Sequence, residues 1–475
     1  MKRFLVVLVA LCAAVAVAAP AFAVDFKYGG MYRTRWQHNE NVVDGNDDGY
    51  GDGKDDKGNW FDQRLRMYFT FVGSENLQLV TKWEADTAWG HETEDKGRHG
   101  GGDIESDATN LEMKNVYLDF NVPNTPVRAS LGVQGLVLMD GWMFNADFSG
   151  AVFRTDFDPI GVTVGYVAAI NQDAVDESED MDDFFLELKY DRGPFYGALT
   201  GFWQHARDNE GATNFRKESS LEGRNTWEKD DISYTEHLDG VFDTFSNDLE
   251  DNDLFNLGAT VGYQADWMNA KVNFIKNFGS YDYNTLDDSG SGDYKGWMLE
   301  ALSEFYWQDF TFTLGGFYTS GDDDDDDDAD YFVYPAGREH YWSEILGMGT
   351  LDEGGFGFDA DYATDQGAYY AADHPTNLWM LTAGTSWQAL EGTKVTFNYY
   401  YVMTSEDVVA DYSEDGDSDK DDTVGHEVDF YLDQDVVDGL QLRLVGAYLF
   451  ADDAYKVNDE DDDAYEVGAR LQWKF

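Results

Sequence analysis

Residues 465–475 read Tyr-Glu-Val-Gly-Ala-Arg-Leu-Gln-Trp-Lys-Phe, so every second residue from Tyr465 to Phe475 is apolar. The residues between them are polar or glycine. Because successive side chains of a strand point to opposite faces, this pattern predicts a strand with one apolar and one polar face. A chain built almost wholly of such strands is expected to close into a membrane-spanning barrel, with lipid outside and water inside.

About eighteen strand-like segments of roughly ten residues follow one another along the chain. They begin near Phe26, Phe61, Leu77, Leu111, Val127, Ala151, Val162, Phe184, Phe195, Phe255, Ala270, Trp297, Phe310, Leu378, Lys394, His426, Leu440 and Tyr465. The segments from Leu111, Ala151 and His426 alternate imperfectly, so sixteen strands is the alternative count. The predicted fold class is all-β: a transmembrane, antiparallel, up-and-down β-barrel.

The connections between these segments alternate between short and long. Residues 73–76 and 191–194 are examples of short links, whereas 39–59, 207–253 and 320–377 are long ones. Outer-membrane barrels show this asymmetry, with short periplasmic turns and long external loops. So wide a barrel must hold water unless something plugs it, and no insertion resembles a folded plug domain. An aqueous lumen implies permeation.

The N-terminus predicts export. Lys2 and Arg3 precede an apolar run over residues 4–19, and Ala21-Phe22-Ala23 is a small-x-small cleavage site. Residues 1–23 are therefore predicted to be a cleaved signal peptide and residues 24–475 a single barrel domain. No other stretch approaches the roughly 20 apolar residues of a spanning helix. The predicted location is the outer membrane of a Gram-negative bacterium.

Composition narrows the choice of partners. The chain has 32 Lys and Arg against 94 Asp and Glu, a formal net charge of -62, so nucleic acid is not expected to bind it. A disordered acidic protein would lack the 14 Trp, 29 Tyr and 32 Phe found here. Aromatic residues at this density suit the two rims of a barrel surrounded by outer-membrane lipids.

Alternation along the predicted strands places several charged side chains on the face that lines the lumen. The inward cations come from the first six strands and the last two, which adjoin once the barrel closes, and they predict a basic wall: Arg33, Arg35, Arg64, Arg66, Lys82, Arg128, Arg154, Arg443 and Arg470. Inward carboxylates predict an acidic wall opposite: Glu187, Glu300, Glu304, Glu427 and Asp429. Such a transverse field would favour small polar solutes. The alternative is that these charges only line a wet interior and confer no selectivity.

An acidic loop predicts a calcium site. Asp44, Asn46, Asp48, Asp52 and Asp55 follow the spacing of a Ca²⁺-binding loop, although Asp55 stands where a bidentate Glu is usual. The alternative is that this external loop is merely solvated. The residues call for no other cofactor.

The sequence resembles the outer-membrane porins of Gram-negative bacteria, in particular trimeric porins of sulfate- and metal-reducing groups. The resemblance is carried by the leader, Arg-Leu-Arg-Met-Tyr-Phe-Thr-Phe at 64–71, the turn 121–126, Gly-Val-Gln-Gly at 132–135 and the terminal Phe475. It implies a homotrimer that passes small hydrophilic solutes passively. It also implies that Phe475 is the signal by which the barrel-assembly machinery inserts the chain.

Residues 138–149, between the fifth and sixth strands, resemble in position the inward-folded third loop of trimeric porins. If this loop folds inward, Asp140 and Asp147 are expected to face the basic wall. Trp142, Met143 and Phe144 would then anchor it on the barrel. The alternative is an external loop whose aromatic residues pack on neighbours or on another subunit.

Three rival functions remain. A substrate-specific channel for sugars, organic acids or oxyanions would use the same polar lumen. A barrel enzyme is disfavoured because none of the eight histidines has a recognisable partner motif, and no GxSxG, HExxH or phosphate loop occurs. A barrel that sheathes a partner would leave no mark in the sequence. The prediction is therefore a channel and not an enzyme.

Overall fold

The computed structural model describes most of residues 24–475. The described residues are 24–42, 57–90, 102, 104, 111–170, 181–209, 249–284, 289–322, 328–335, 341–347, 349–351, 362–363, 369–370, 375–412, 418–452, 454 and 463–475. The predicted signal peptide and the predicted calcium loop lie outside these residues, so both stay predictions.

Almost all of the described chain is β-strand. The strands are β1 Asp25–Glu40, β2 Lys57–Ser74, β3 Leu77–Ala88, β4 Glu112–Asn121, β5 Arg128–Leu138, β6 Phe144–Phe157, β7 Ile160–Ile170, β8 Met181–Arg192, β9 Phe195–Asn209, β10 Leu249–Ala265, β11 Met268–Asn284, β12 Ser289–Asp293, β13 Trp297–Trp307, β14 Phe310–Thr319, β15 Tyr362–Ala363, β16 Tyr369–Tyr370, β17 Leu378–Leu390, β18 Thr393–Tyr412, β19 Ser418–Val437, β20 Leu440–Ala451 and β21 Ala464–Lys474. A 3-10 turn, Met139–Gly141, separates β5 from β6.

Eighteen of these strands form one closed barrel, which confirms the predicted fold class and strand number. The wall strands are β1–β11, β13, β14 and β17–β21, each antiparallel to its neighbours, while β12 only extends the edge of β11. The barrel closes where β1 pairs with β21, from Met31 opposite Lys474 to Glu40 opposite Tyr465. The imperfect segments from Leu111, Ala151 and His426 all lie in wall strands.

Short turns join β2 to β3, β8 to β9, β10 to β11, β13 to β14, β17 to β18 and β19 to β20, and both ends of the barrel domain lie at this same rim. We call this the short-turn rim. The lipid-facing side chains of the wall are apolar and exposed, as at Phe71, Leu199, Leu257 and Leu381. The period-two pattern of the sequence therefore marks the lipid face.

Within the described residues, no helix is long and apolar enough to cross a membrane.

The chain terminus completes the closure. The Phe475 carbonyl accepts a hydrogen bond from the Gly30 N–H at 2.9 Å, and the Phe475 N–H donates to the Gly30 carbonyl at 3.1 Å. The Phe475 ring lies over Gly30, where an added Cβ would approach ring atom Cζ to 2.5 Å. An added Cβ would also lie 2.6 Å from the backbone carbonyl oxygen of Arg66, so glycine is needed at position 30 because both this carbonyl and the terminal ring occupy the space of a side chain.

We expect Gly30→Ala to destabilise the folded barrel by about 1–3 kcal/mol, because the new methyl group overpacks the closing seam. The measurement is the urea midpoint of the folded, heat-modifiable form in detergent. Gly446→Ala is the matched control, since nothing lies within 4 Å of a Cβ at that glycine. Equal midpoints for the two variants would show that the ring does not restrict position 30.

Candidate functional site in the lumen

The hairpin between β5 and β6 leaves the barrel wall. β5 and β6 pair with each other from Arg128 opposite Arg154 up to Leu138 opposite Phe144. The pairing of β4 with β5 stops at Val133, and that of β6 with β7 stops at Ser149. Residues 134–148 therefore have no neighbouring wall strand, and we call them the inner hairpin. The predicted loop 138–149 is mostly strand, which corrects its assignment as a loop.

Apolar contacts show that the inner hairpin crosses the lumen. The Trp142 ring lies 5.1 Å from that of Phe317 on β14, and Phe144 stacks at 5.6 Å on Phe202 of β9. Met139 and Met143 fill the space above Gly258 of β10. Trp142 and Met143 are fully buried. The hairpin tip thus packs on the wall opposite its own strands.

The two aspartates of the inner hairpin contact different walls. Asp147 lies 3.6 Å from the Lys82 ammonium and 3.8 Å from that of Lys114. Asp140 was expected to face the same basic wall, but it contacts Lys271 of β11 at 2.8 Å. This difference arises because the hairpin is long enough for its tip to reach the far side of the lumen.

A second segment inside the barrel comes from the connection between β14 and β17, which the sequence predicted to lie outside. We call residues 341–347 and 349–351 the inner loop. Its polar groups converge on Glu427 of β19, which accepts hydrogen bonds from Ser343 Oγ at 2.8 Å, Ile345 N–H at 2.7 Å and Leu346 N–H at 3.0 Å. Glu427 is fully buried, so this carboxylate anchors the loop.

Further hydrogen bonds hold the rest of the inner loop. Asp429 accepts the Glu344 N–H at 3.1 Å, and Glu344 in turn accepts the Leu351 N–H at 2.8 Å. Arg443 donates to Thr350 Oγ1 at 3.0 Å. Burial raises the pKa of the Glu344 carboxyl above its usual range. The loop is thus tied to both β19 and β20.

The inner loop reaches the closing seam of the barrel as well. Arg35 of β1 donates to the Leu351 carbonyl, and the Leu351 side chain fills the space above Gly468 of β21. An earlier part of the same connection, residues 328–335, lies against β11, where Asn277 donates to the Val333 carbonyl at 2.7 Å. The β14–β17 connection therefore contacts walls on both sides of the lumen.

The inner hairpin and the inner loop join through aromatic residues. Phe317 lies between Trp142 and Trp342, with ring centroids at 5.1 Å and 5.3 Å in edge-to-face geometry. Ile345 and Leu346 belong to the same buried apolar cluster. This cluster fills part of the lumen, so the aqueous path is narrower than the barrel itself.

The predicted basic wall is in fact a wall of ion pairs. Arg35 pairs with Asp62 at 2.6 Å, Arg64 with Asp86 at 2.6 Å, Arg128 with Asp119 at 2.7 Å and Arg443 with Asp433 at 2.6 Å, and Arg66 contacts Glu84. Each carboxylate stands on a neighbouring strand and on the face that lines the lumen. The alternation that places it there was present in the sequence. The transverse field inferred from the arginines alone is therefore weaker than predicted.

The remaining predicted basic residues occupy different settings. Arg33 is buried opposite Arg64, and Arg154 donates to Ser130 Oγ at 3.1 Å. Arg470 stands opposite both Arg443 and Arg35.

The predicted acidic wall divides into two groups. Glu427 and Asp429 hold the inner loop, as described above. The others contact neighbours on the wall: Glu187 meets Lys189 at 2.9 Å, Glu300 accepts a hydrogen bond from Asn273 at 2.7 Å, and Glu304 accepts one from the Tyr306 hydroxyl at 2.8 Å. The far side is thus acidic only in part.

A cavity of about 420 Å³ lies beneath the inner loop. Its floor comes from β17–β21 near the short-turn rim and includes Lys394, Asp433, Arg443 and Arg470, and its roof includes Trp342 and other residues of the inner loop. Sequence reasoning missed Lys394 and the inner loop as parts of one site. Among the described residues, no group of three or more His, Cys, Asp or Glu side chains is arranged to hold a metal ion.

Comparisons with known proteins identify the fold. No protein-family model matches the sequence. No curated protein matches it either. Among solved structures, OccK1 (OpdK) of Pseudomonas aeruginosa is 11% identical, with a TM-score of 0.53 over 95% of this chain and 98% of that one. OccAB3 of Acinetobacter baumannii is 11% identical, with a TM-score of 0.52 over 94% of this chain and 99% of that one.

A BenF-like porin from Pseudomonas fluorescens Pf-5 is 10% identical, with a TM-score of 0.50 over 96% of this chain and 100% of that one. At these identities the likeness is one of fold. The chain therefore has the barrel architecture of solved Gram-negative porins over nearly its whole length.

We expect Arg64→Ala to destabilise the barrel by about 3–5 kcal/mol, because it leaves the buried Asp86 carboxylate without its guanidinium. Arg128→Ala is the control, since the Arg128 side chain is 43% exposed and its pair with Asp119 is screened by water. Its expected cost is below about 1 kcal/mol. The measurement is urea unfolding in detergent, followed by tryptophan fluorescence.

The double variant Arg64→Ala/Asp86→Ala tests whether the unpaired Asp86 carboxylate causes the loss of stability. It should lose less stability than Arg64→Ala alone, because neither charge is then left buried and unpaired. A loss equal to the sum of the two single variants would contradict this explanation.

Proposed function

We propose that the protein is an outer-membrane channel through which small hydrophilic solutes and ions diffuse passively. The observation that carries this proposal is the closed barrel of eighteen strands with charged and polar side chains on its inner face. Barrels of this width cannot fill their interior with wall side chains alone and hold water inside. The structural likeness to solved porins supports the same function.

The inner hairpin and the inner loop make the channel selective for size. Both segments are fixed to the wall by ion pairs, hydrogen bonds and buried aromatic contacts, so they form a permanent narrowing rather than a loose loop. Water and charged side chains remain along β1–β4, where Arg66 and Lys82 are partly exposed. The expected cargo is solutes that are small enough to pass this narrowing. They must also be polar enough for the charged side chains of the wall to replace part of their hydration shell.

A substrate-specific channel is the second candidate. The observation that favours it is the cavity beneath the inner loop, which combines cationic, hydroxyl and aromatic groups in one place. A general-diffusion pore needs no such concentration of ligand-binding groups. The two candidates differ in how flux depends on solute concentration: the flux of a bound solute through a specific channel reaches saturation, whereas flux through a general pore does not.

We further propose the cellular context that the resemblance implied. A cleaved leader over residues 1–23 would deliver the chain to the outer membrane of a Gram-negative bacterium. Insertion by the barrel-assembly machinery would use Phe475, and the mature protein would associate as a homotrimer. Ca²⁺ in the outer loop at Asp44–Asp55 would stabilise the external mouth. The cleaved leader, the homotrimer and the calcium site are tested by mass spectrometry of the mature N-terminus, native mass spectrometry and calcium titration, respectively.

The first test is reconstitution of the refolded protein in a planar bilayer with single-channel recording under a salt gradient. Discrete conductance steps are expected, and steps in groups of three would support a trimer. A silent bilayer from correctly folded, heat-modifiable protein would overturn the channel proposal.

We expect Glu427→Ala to raise the mean conductance and to add current fluctuations. The substitution removes three hydrogen bonds to a carboxylate, each worth about 1.5–3 kcal/mol, and so releases the inner loop. Glu304→Ala is the matched control, because it removes the same charge from the lumen wall without touching the inner loop. If both variants gave the same quiet trace as the parent protein, Glu427 would not be the anchor of the narrowing.

A further inference from the structure

Three cationic side chains border the cavity beneath the inner loop: Lys394, Arg443 and Arg470. Lys394 and Arg443 both stand directly opposite Asp433, and Arg443 stands opposite Arg470. The three cations therefore belong to one lateral row on β18, β20 and β21. Neighbouring strands are about 4.8 Å apart, so Lys394 and Arg470 lie roughly 14 Å apart along this row, with Asp433 and Arg443 between them. Both side chains are long enough to reach a group bound above Arg443.

The two carboxylates at the cavity, Asp433 and Glu344, offset only part of the charge of these three cations. Asp433 accepts two hydrogen bonds from Arg443, at 2.6 Å and 3.0 Å. Glu344 faces the Leu351 N–H and the Tyr431 hydroxyl. The cations outnumber the carboxylates even when Glu344 is counted as ionised. The Lys394 ammonium has no hydrogen-bond or ion-pair partner among the described residues.

The rest of the cavity suits a hydroxylated molecule. Ser386 and Thr396 present hydroxyl groups 2.9 Å apart, and the Asn398 amide lies on the same strand as Thr396. Trp342 of the inner loop and Tyr400 of β18 add aromatic surface. A few directed polar groups beside aromatic faces are what a ligand site needs to orient a small ring.

We propose that this cavity binds a small phosphate monoester with a hydroxylated body, such as a sugar phosphate, during its passage through the channel. This inference rests on the proposed channel function. The phosphate lies against the row of cations, and the hydroxylated body lies against Ser386, Thr396 and the aromatic residues above them.

Charge and shape select a phosphate monoester over a carboxylate. A carboxylate carries one charge on two oxygens in a plane, whereas a phosphate monoester near pH 7 carries a charge of about -1.5 to -2 on three oxygens. Three oxygens can meet Lys394, Arg470 and the N–H groups that Arg443 does not donate to Asp433 and Thr350. Arginine also binds phosphate in a bidentate manner, which adds directional hydrogen bonds to the charge attraction.

The test is isothermal titration calorimetry of the full-length, folded protein in detergent with glucose 6-phosphate. Glucose and glucuronate are the comparison probes, because the first lacks the anion and the second carries only a carboxylate. Glucose 6-phosphate is expected to bind at least about tenfold more tightly than glucuronate, and glucose should give no measurable heat. Equal binding of glucuronate would overturn the phosphate assignment, and equal binding of glucose would overturn the anion site.

Lys394→Gln locates the site. Loss of one charge-assisted hydrogen bond should weaken glucose 6-phosphate binding about tenfold or more. Lys189→Gln is the matched control, because Lys189 also lies near the short-turn rim but on β8, outside the cavity. Unchanged affinity in Lys394→Gln, or an equal loss in both variants, would overturn the proposal.

Single-channel recording separates this inference from the channel function. Glucose 6-phosphate should interrupt the open-channel current, with shorter interruptions in Lys394→Gln than in Lys189→Gln. Normal conductance without phosphate-dependent heat or interruptions would overturn the inference and leave the channel function standing. Calorimetric binding to a protein that conducts no current would overturn the channel function and leave the binding site standing.

Discussion

The whole structure depends on the need of every backbone N–H and C=O group in lipid to find a partner within the protein. An open sheet edge would leave a row of these groups unpaired, so the strands must close into a barrel. β1 and β21 meet this requirement, and Phe475 extends the pairing to the last residue through Gly30. Closure of eighteen strands creates a lumen that wall side chains cannot fill. The inner hairpin and the inner loop occupy part of that space.

Carboxylates buried inside the lumen need partners within the protein, and this chain supplies those partners in two ways. On β2 and β3, buried carboxylates such as Asp86 are neutralised by a guanidinium from the next strand. On β19, Glu427 and Asp429 are instead met by N–H groups of the inner loop. A buried carboxylate without such partners would cost several kcal/mol. The loop therefore satisfies the carboxylates while the carboxylates fix the loop, and neither arrangement is stable alone.

Period-two alternation was enough to predict the barrel and its strand number, because lipid contact imposes the same rule on every wall strand. One of the three imperfectly alternating segments, from Ala151, begins where β6 rejoins the wall after the inner hairpin, whose pattern follows lumen contacts and not lipid. Asp62 and Glu84 stand at the same phase as the arginines, so the ion pairs were readable from sequence and were overlooked. The contact of the inner loop with Glu427 was not readable, because it joins residues about eighty positions apart through tertiary packing alone. The apolar residues Trp342, Ile345, Leu346 and Leu351, within an acidic connection, were the sequence signal that this segment is buried.

The pairing of charges also decides where the lumen has a net field. A guanidinium beside a carboxylate produces a local dipole whose effect falls off within a few ångströms of water, so a long row of such pairs is nearly neutral to a passing ion. Net positive charge persists only where the pairing is uneven. Asp147 between Lys82 and Lys114 is one such place, and the row that includes Lys394 is another. Both lie where an inner segment meets the wall, so the segments that narrow the lumen also determine where its net positive charge lies.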